Sequence, residues 1–360
     1  MRNCNVPERQ KSQSRGSRTD GRPKRVTLKV LADHVGLSPA TISLVMNQAS
    51  VADSIPKATQ ERIFAAAREL SYRPSFAARW ARTARSFTIG VLVPEVSEGY
   101  ASLVLSGIDG YLLREGYFYF VASHRHLDDL IDEYPRLLLA RSVDGIIAID
   151  TPWQSELSIP VATVSGHSRT NGVTSVLLDH DRAAELALVH LQKLGHKRIA
   201  FIKGQEFSSD TAVRWGSISK VAARLGLDVS PKLTVQLEGD LASPELGYRV
   251  TKHLLERKMR FTALFAFNDV SAIGAIEALR SHGLDVPGDV SVVGFDDIQS
   301  AAFQRPQLTT VRQPLKKMGM IAAEAVLKRI ARPEDDTYPR QVVIDPELVV
   351  RKSTAAVNSH

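Results

Sequence analysis

The sequence predicts a small all-α helix–turn–helix domain followed by a two-lobed α/β body of doubly wound parallel sheets. Three observations lead there. The basic excess is confined to the first quarter of the chain, residues 27–83 show only helical periodicity, and from Phe87 onward short β-branched apolar runs alternate with amphipathic stretches.

Residues 1–86 hold sixteen Lys or Arg against six Asp or Glu, whereas the remaining residues hold thirty against thirty-three. A basic module on a near-neutral body is the electrostatic footprint of a nucleic-acid binder. The chain of 360 residues, 44% hydrophobic and 24% charged, can bury a sizeable core plus a smaller one. No apolar run reaches eighteen residues, so no membrane span is predicted. The basic N-terminus lacks the apolar core of a secretory signal, and a cytoplasmic location is predicted. The single cysteine, Cys4, excludes an internal disulfide framework and cysteine-based zinc sites.

Residues 1–25 are polar and without hydrophobic period, and are read as a disordered basic arm. The helix–turn–helix domain is assigned to 26–73. In LKVLADHV, Leu28, Val30, Leu31 and Val35 are expected on one helical face, and Gly36 ends the helix because a C′ residue often needs positive φ. Ser38 then caps a second helix with Pro39 at its first position, where a missing N–H costs nothing. That helix is expected to bury Ile42 and Val45 and to present Pro39, Ala40, Thr41, Ser43 and Leu44. Two short helices about a glycine turn are the geometry whose second helix enters the major groove. A third helix, about Ala58 to Leu70, completes the core with Ile63, Phe64, Ala67 and Leu70. Residues 74–86 are read as a hinge helix and linker, in which arginines 79, 82 and 85 form one basic stripe suited to phosphates or a minor groove.

The body spans 87–354, with 355–360 as a tail. Its strand-like runs are TIGVLVP, YFYFVAS, VDGIIAID, IPVATVS, RIAFIKG, LTVQLEG, ALFAFN and VSVVGFD. Helical stretches at 101–115, 127–140, 181–194, 211–225, 244–257 and 270–282 separate them. Such alternation specifies βαβ units, and roughly ten strands exceed one comfortable sheet, hence two lobes.

The strings VTLKVLADHVGLSPATISLVMN, ARELSYRPSFAARWARTARSFTIGVLVP, LGHKRIAFI, FNDVSAIGAIEALRSHGLDVPGDVSVVGFDD, PQLTTVRQP and LVVRKST resemble the lactose/galactose repressor family of bacterial regulators. The resemblance implies a body like periplasmic sugar-binding proteins, binding of palindromic double-stranded operator DNA as a homodimer, and a small-molecule effector, sugar or related metabolite, that shifts operator affinity. It implies DNA contacts from Thr27, Ser38, Pro39, Ala40, Thr41, Ser43, Leu44, Asn47, Tyr72, Arg73, Arg79, Trp80, Ala81 and Arg82. Ala81 stands where the family usually wedges a leucine into the minor groove, with the bulky Trp80 before it. Leu44 replaces a frequent arginine, so apolar contact to a thymine methyl replaces a guanine contact there. The loop after Asn47 is long, and Pro56 sits where a serine cap is expected.

By the same resemblance Tyr100, Ser165, Arg214, Asn268, Asp269 and Asp296 are the candidate effector contacts, with Ser165-Gly166 standing where sugar-responding relatives often have Asp-Arg. An arginine facing carboxylates and an amide can satisfy several hydroxyls. Trp153 and Trp215 are read as packing residues. The histidines show no metal-ligand spacing, and neither a metal nor another cofactor is expected. No P-loop, G-x-S-x-G elbow, HExxH or dinucleotide fingerprint occurs, which disfavours an enzyme. A transport solute-binding protein would leave the helix–turn–helix unexplained. With only AAVNSH after LVVRKST and no heptads, a dimer rather than a tetramer is expected.

Overall fold

The computed structural model describes residues 26–46, 50–72, 85–96, 99–168, 170–239, 243–333 and 338–357. The chain divides into two units, Met1–Ala84 and Arg85–His360. The predicted arm at 1–25 and hinge helix within 74–83 lie outside the described residues.

In the first unit α1 (Leu28–Val35), α2 (Pro39–Met46) and α3 (Lys57–Glu69) enclose one small core. The Thr27 hydroxyl accepts the Val30 N–H, satisfying one orphan donor of the first turn. Gly36 takes φ 71° and returns its N–H to the Ala32 carbonyl. Ser38 Oγ accepts the Thr41 N–H at 3.1 Å, which caps α2. Leu31, Ile42 and Ile63, one from each helix, are fully buried together with Ala32, Val45 and Ala67. Val30 departs from expectation, being 46% exposed. Two residues advance about 200° around a helix, so Val30 faces away from Leu28, and Ala32 takes the place expected for it. The long loop contains a 3₁₀ turn at Ser50–Ser54. Pro56 offers no side-chain cap to α3. Instead Gln60 Nε2 donates to the carbonyls of Ala52 and Ile55, tying the loop to the helix it precedes.

The second unit has two lobes. The first is built from β1 (Thr88–Val93), α4 (Tyr100–Arg114), β2 (Phe118–Ser123), α5 (Asp128–Ala140), β3 (Gly145–Ile149), β4 (Val161–Val164) and β5 (Val173–Leu178). After α6 (His180–Lys193) the chain forms β6 (Ile199–Lys203), α7 (Ser209–Leu225), β7 (Thr234–Gln236), α8 (Pro244–Glu256), β8 (Ala263–Ala266), α9 (Asp269–Ser281), β9 (Ser291–Asp296), α10 (Gln299–Phe303) and β10 (Thr309–Arg312). Then α11 (Leu315–Ala331) returns to the first lobe, packing Leu315, Met318, Ala322 and Val326 with Ile147 and Ala162. There β11 (Gln341–Ile344) joins β5 in parallel, and β12 (Glu347–Val349) closes the second sheet antiparallel to β10. The sheet orders are β11-β5-β4-β3-β1-β2 and β12-β10-β9-β8-β6-β7.

Both faces of each sheet are covered by helices, so β1, β3, β4 and β5 are buried at every position and read as continuous apolar runs. The edge strands differ, most of all β2, with Phe118, Phe120 and Val121 all exposed.

Close helix packing fixes the elements that carry the site. On α9, a Cβ added to Gly274 would lie 1.8 Å from the Pro244 carbonyl oxygen on α8. Gly274→Ala is therefore expected to destabilise the body by about 3 kcal/mol, as overpacking does. Gly110 on α4 has open space around it, and Gly110→Ala should instead add roughly 0.5–1 kcal/mol through helix propensity. Thermal unfolding of the two variants in parallel checks the pair; a Gly274→Ala melt like that of the parent would contradict the packing account.

Candidate functional site

The exposed side of the helix–turn–helix carries Thr27, Ser38, Pro39 and Ala40, while Thr41, Ser43, Leu44 and Tyr72 are half-buried. The Ser38 and Thr41 hydroxyls lie 2.9 Å apart, so the start of α2 is held by its own side chains. Lys29 on α1, with Lys57, Arg62 and Arg68 on α3, adds exposed basic charge around that face. Arg62 also donates to the Val35 carbonyl at the end of α1, where a cation is favoured. Asn47, Arg73, Arg79, Trp80, Ala81 and Arg82 lie outside the described residues.

In the body a cavity opens where the carboxyl ends of the strands of both lobes meet, as parallel α/β sheets arrange their ligand sites. The first lobe contributes Glu95 after β1, Tyr100, His126 after β2 and Asp150 after β3. The second contributes Gln205 and Phe207 after β6, Asp210 and Arg214 on α7, Asn268 after β8 and Asp296 at the end of β9.

Arg214 is its centre. The residue is 4% exposed, and its guanidinium sits 4.4 Å from the Phe267 ring centroid and 3.8 Å from that of Phe295. It donates to the Phe267 carbonyl at 2.6 Å and to Asp210 Oδ2 at 3.2 Å. Planar stacking and a fixed donor fork are what arginine supplies and lysine does not. Asp296, on strained backbone at φ 109°, accepts from Gln313 Nε2 at 2.6 Å. Burial pushes its carboxyl up to about 7, against the pull of Arg214. The neighbouring Asp297 turns away, bound by Arg312 and Arg351, so the adjacent pair diverges as expected.

Contacts across the cleft join the lobes. Asp150 accepts from the Ser209 N–H at 2.9 Å, Ser209 Oγ at 2.6 Å and Ser208 Oγ at 3.1 Å. Burial, then the charge of Asp210, raises the Asp150 carboxyl to about 6. His126 stacks on Phe207 with ring centroids 3.6 Å apart. His167 Nε2 lies 2.7 Å from Asp210 Oδ1, and His180 Nε2 lies 3.3 Å from the same oxygen. Burial alone would raise the Asp210 carboxyl, but His180, His167 and Arg214 hold it well below the usual carboxylate range.

Of the residues assigned to the effector from sequence, Tyr100, Arg214, Asn268 and Asp296 reach the cavity. Asn268 is also the α9 N-cap, its Oδ1 accepting the Ser271 N–H in a capping box. Ser165 stands behind the lining, where its Oγ accepts the Tyr100 hydroxyl at 2.7 Å. Burial, then Asp210 and Asp150, raises the Tyr100 phenol well above its ordinary range, so it stays a donor. Asp269 corrects the expectation: it is fully buried, is not among the lining residues, and binds the Ile298 N–H and the Thr310 hydroxyl. One oxygen fixes the loop after β9 and the other holds Thr310 on β10, which is a positioning task.

Gly166 has a steric reason: a Cβ there would come within 2.7 Å of Thr163 and 2.9 Å of the Thr151 carbonyl. Trp153 is buried in the first lobe and Trp215 packs on Phe201, neither lining the cavity. Sequence reasoning missed Asp150, Asp210, His126, His167, His180 and Phe207. Asp150 closes the run VDGIIAID and was detectable by the strand-end rule; the others lie in loops or at helix starts with no motif spacing.

Residues 27–75 match the family described as bacterial regulatory proteins, lacI family, and 188–354 match the periplasmic binding protein-like domain. The chain is 31% identical to the HTH-type transcriptional repressor PurR of Haemophilus influenzae, over 92% of this chain and 99% of that protein. It resembles the lac repressor dimer bound to operator and an anti-inducer, with TM-score 0.77 and 27% identity over 92% of this chain and all of that one. It also resembles the regulator CelR in complex with cellobiose, with TM-score 0.66 and 26% identity over 91% of this chain and all of that one. No helix among the described residues is long and apolar enough to cross a membrane. The chain belongs to the LacI family of bacterial DNA-binding transcription regulators.

Proposed function

We propose that the protein is a cytoplasmic repressor that binds a palindromic operator as a homodimer and is tuned by a sugar-like, hydroxyl-rich effector in the cleft. The observation that carries this reading is the cavity itself: a stacked arginine faces buried carboxyls from both lobes. Donors and acceptors are thus mixed, as vicinal hydroxyls require. The pocket binds and does not transform, since Asp296 and Asp150 are each held by the protein's own donors. The exposed apolar edge at Phe118, Phe120 and Val121 supports a homodimer, because an unpaired apolar edge strand is ordinarily covered. Effector binding would shift the balance between open and closed lobes and so the operator affinity.

A gel shift with the protein's own upstream DNA tests the reading. Binding is expected to weaken steeply with salt, by roughly 0.9 log units per log unit of salt for each phosphate neutralised. Leu44→Ala removes a side chain that lies outside the buried core of the domain. It should weaken operator binding about tenfold while leaving binding to random DNA unchanged, since a base contact carries roughly 1–3 kcal/mol of discrimination. Equal loss on both DNAs would remove α2 from the role of reader.

A further inference from the structure

We propose that His167, His180 and Asp210 form a zinc-class metal site that fastens the two lobes together. The three residues come from separate segments: the loop after β4 in the first lobe, the start of α6 at the crossing, and the first turn of α7 in the second lobe. One ligand atom from each lies within 4.8 Å of the others. The two Nε2 atoms converge on a single carboxylate oxygen, at 2.7 and 3.3 Å.

Two imidazoles and one carboxylate are a three-ligand set that leaves a fourth position for water. Around a tetrahedral zinc with bonds of about 2.0–2.1 Å, neighbouring ligand atoms stand roughly 3.3 Å apart. The His180–Asp210 separation already has that value, and the His167 contact must open by about half an ångström. His180 and Asp210 side chains are 3% and 5% exposed, whereas His167 is 22% exposed and leaves an entry path on the first-lobe side. His167 also borders the surface recess formed with Trp153 and Gly166, separate from the effector cavity.

The surrounding groups bear on strength. Arg214 holds the other Asp210 oxygen at 3.2 Å, which orients the carboxylate to offer one oxygen. The same cation opposes a second positive charge nearby. His180 Nδ1 has no hydrogen-bond partner among the described residues. A ligating histidine without such an outer partner binds metal about 10–100-fold more weakly. The site is therefore a reversible one, responsive to metal level, and its occupancy would hold the cleft closed.

The test uses the full-length protein, stripped with chelator and titrated with zinc by calorimetry, with cobalt(II) absorption to report tetrahedral nitrogen and oxygen ligation. One zinc per chain, weakened at least tenfold in His167→Ala and in His180→Gln, is the expected result. His167→Ala alters a partly exposed loop side chain, so circular dichroism of that variant should match the parent. Absence of zinc binding by the parent, or equal binding in both variants, overturns the site. Asp210 is shared with the effector cavity, but His167 and His180 do not line it, so neither outcome touches the effector reading, which the gel shift tests independently.

Discussion

Arg214→Met is expected to destabilise the effector body by about 3–5 kcal/mol and to abolish the effector response while the operator-reading unit stays folded. Methionine fills much of the space between Phe267 and Phe295 but removes the donors to the Phe267 carbonyl and to Asp210. Among the described residues Asp296 then keeps only the Gln313 amide as a hydrogen-bond partner, and the buried carboxyls of both lobes lose the arginine that lines the cavity. Removing one partner of a buried charge network is far costlier than replacing the whole network. Arg214→Lys keeps the charge but not the planar stack, and should fall between parent and methionine variant in melting temperature. Combining Arg214→Met with Asp296→Asn should recover part of the loss, because the uncompensated carboxyl is gone. A double-mutant cycle from urea unfolding measures this coupling, and strict additivity would show that the two side chains do not interact.

Much of the architecture was legible because local signals and tertiary structure agree. The six body helices read from periodicity begin and end within two residues of α4 to α9, and the eight apolar runs are β1 to β4 and β6 to β9. The strands β5 and β10 escaped, as did the elements at the crossings. β11 and β12 are edge strands of four and three residues, and α11 serves the lobe opposite the strand it follows, so no local pattern marks their partners. Val30 shows the ambiguity of a short helix, where five apolar residues in eight fit more than one face.

The site divides along the same line. Arg214 and Asp296 sit in motifs at a helix and a strand end, and were readable. The cluster of His167, His180 and Asp210 exists only because two lobes close on each other. Aspartate at a helix start is ambiguous by nature: Asp269 and Asp210 occupy similar local positions, yet one clamps a loop and the other spans the cleft. Local sequence cannot separate a cap from a contact when both use the same carboxylate.

Asp296→Asn is expected to stabilise the effector-free body while removing effector binding, and the gain should depend on pH. The folded protein holds the Asp296 carboxyl at about 7, against 3.8 for the unperturbed group. Between those values the folded state keeps a proton that the unfolded state has released. Stability contributed by the group is therefore full below about pH 4, falls as pH rises to about 7, and is level above that. The span corresponds to roughly 4 kcal/mol. The realised gain should be nearer 2 kcal/mol, because Arg214 loses a counter-charge in the variant. Asparagine can still accept from Gln313, so the loop geometry is retained. Asp150, held up at about 6, acts in the same direction and leaves some pH dependence behind. Urea midpoints measured at pH 4, 5.5 and 8 should show the variant gaining on the parent as pH rises. A constant difference across that range would mean that Asp296 is ionised in the folded state throughout. Such a result would make it a permanent partner of Arg214 and not a carboxyl whose desolvation the effector's hydroxyls relieve.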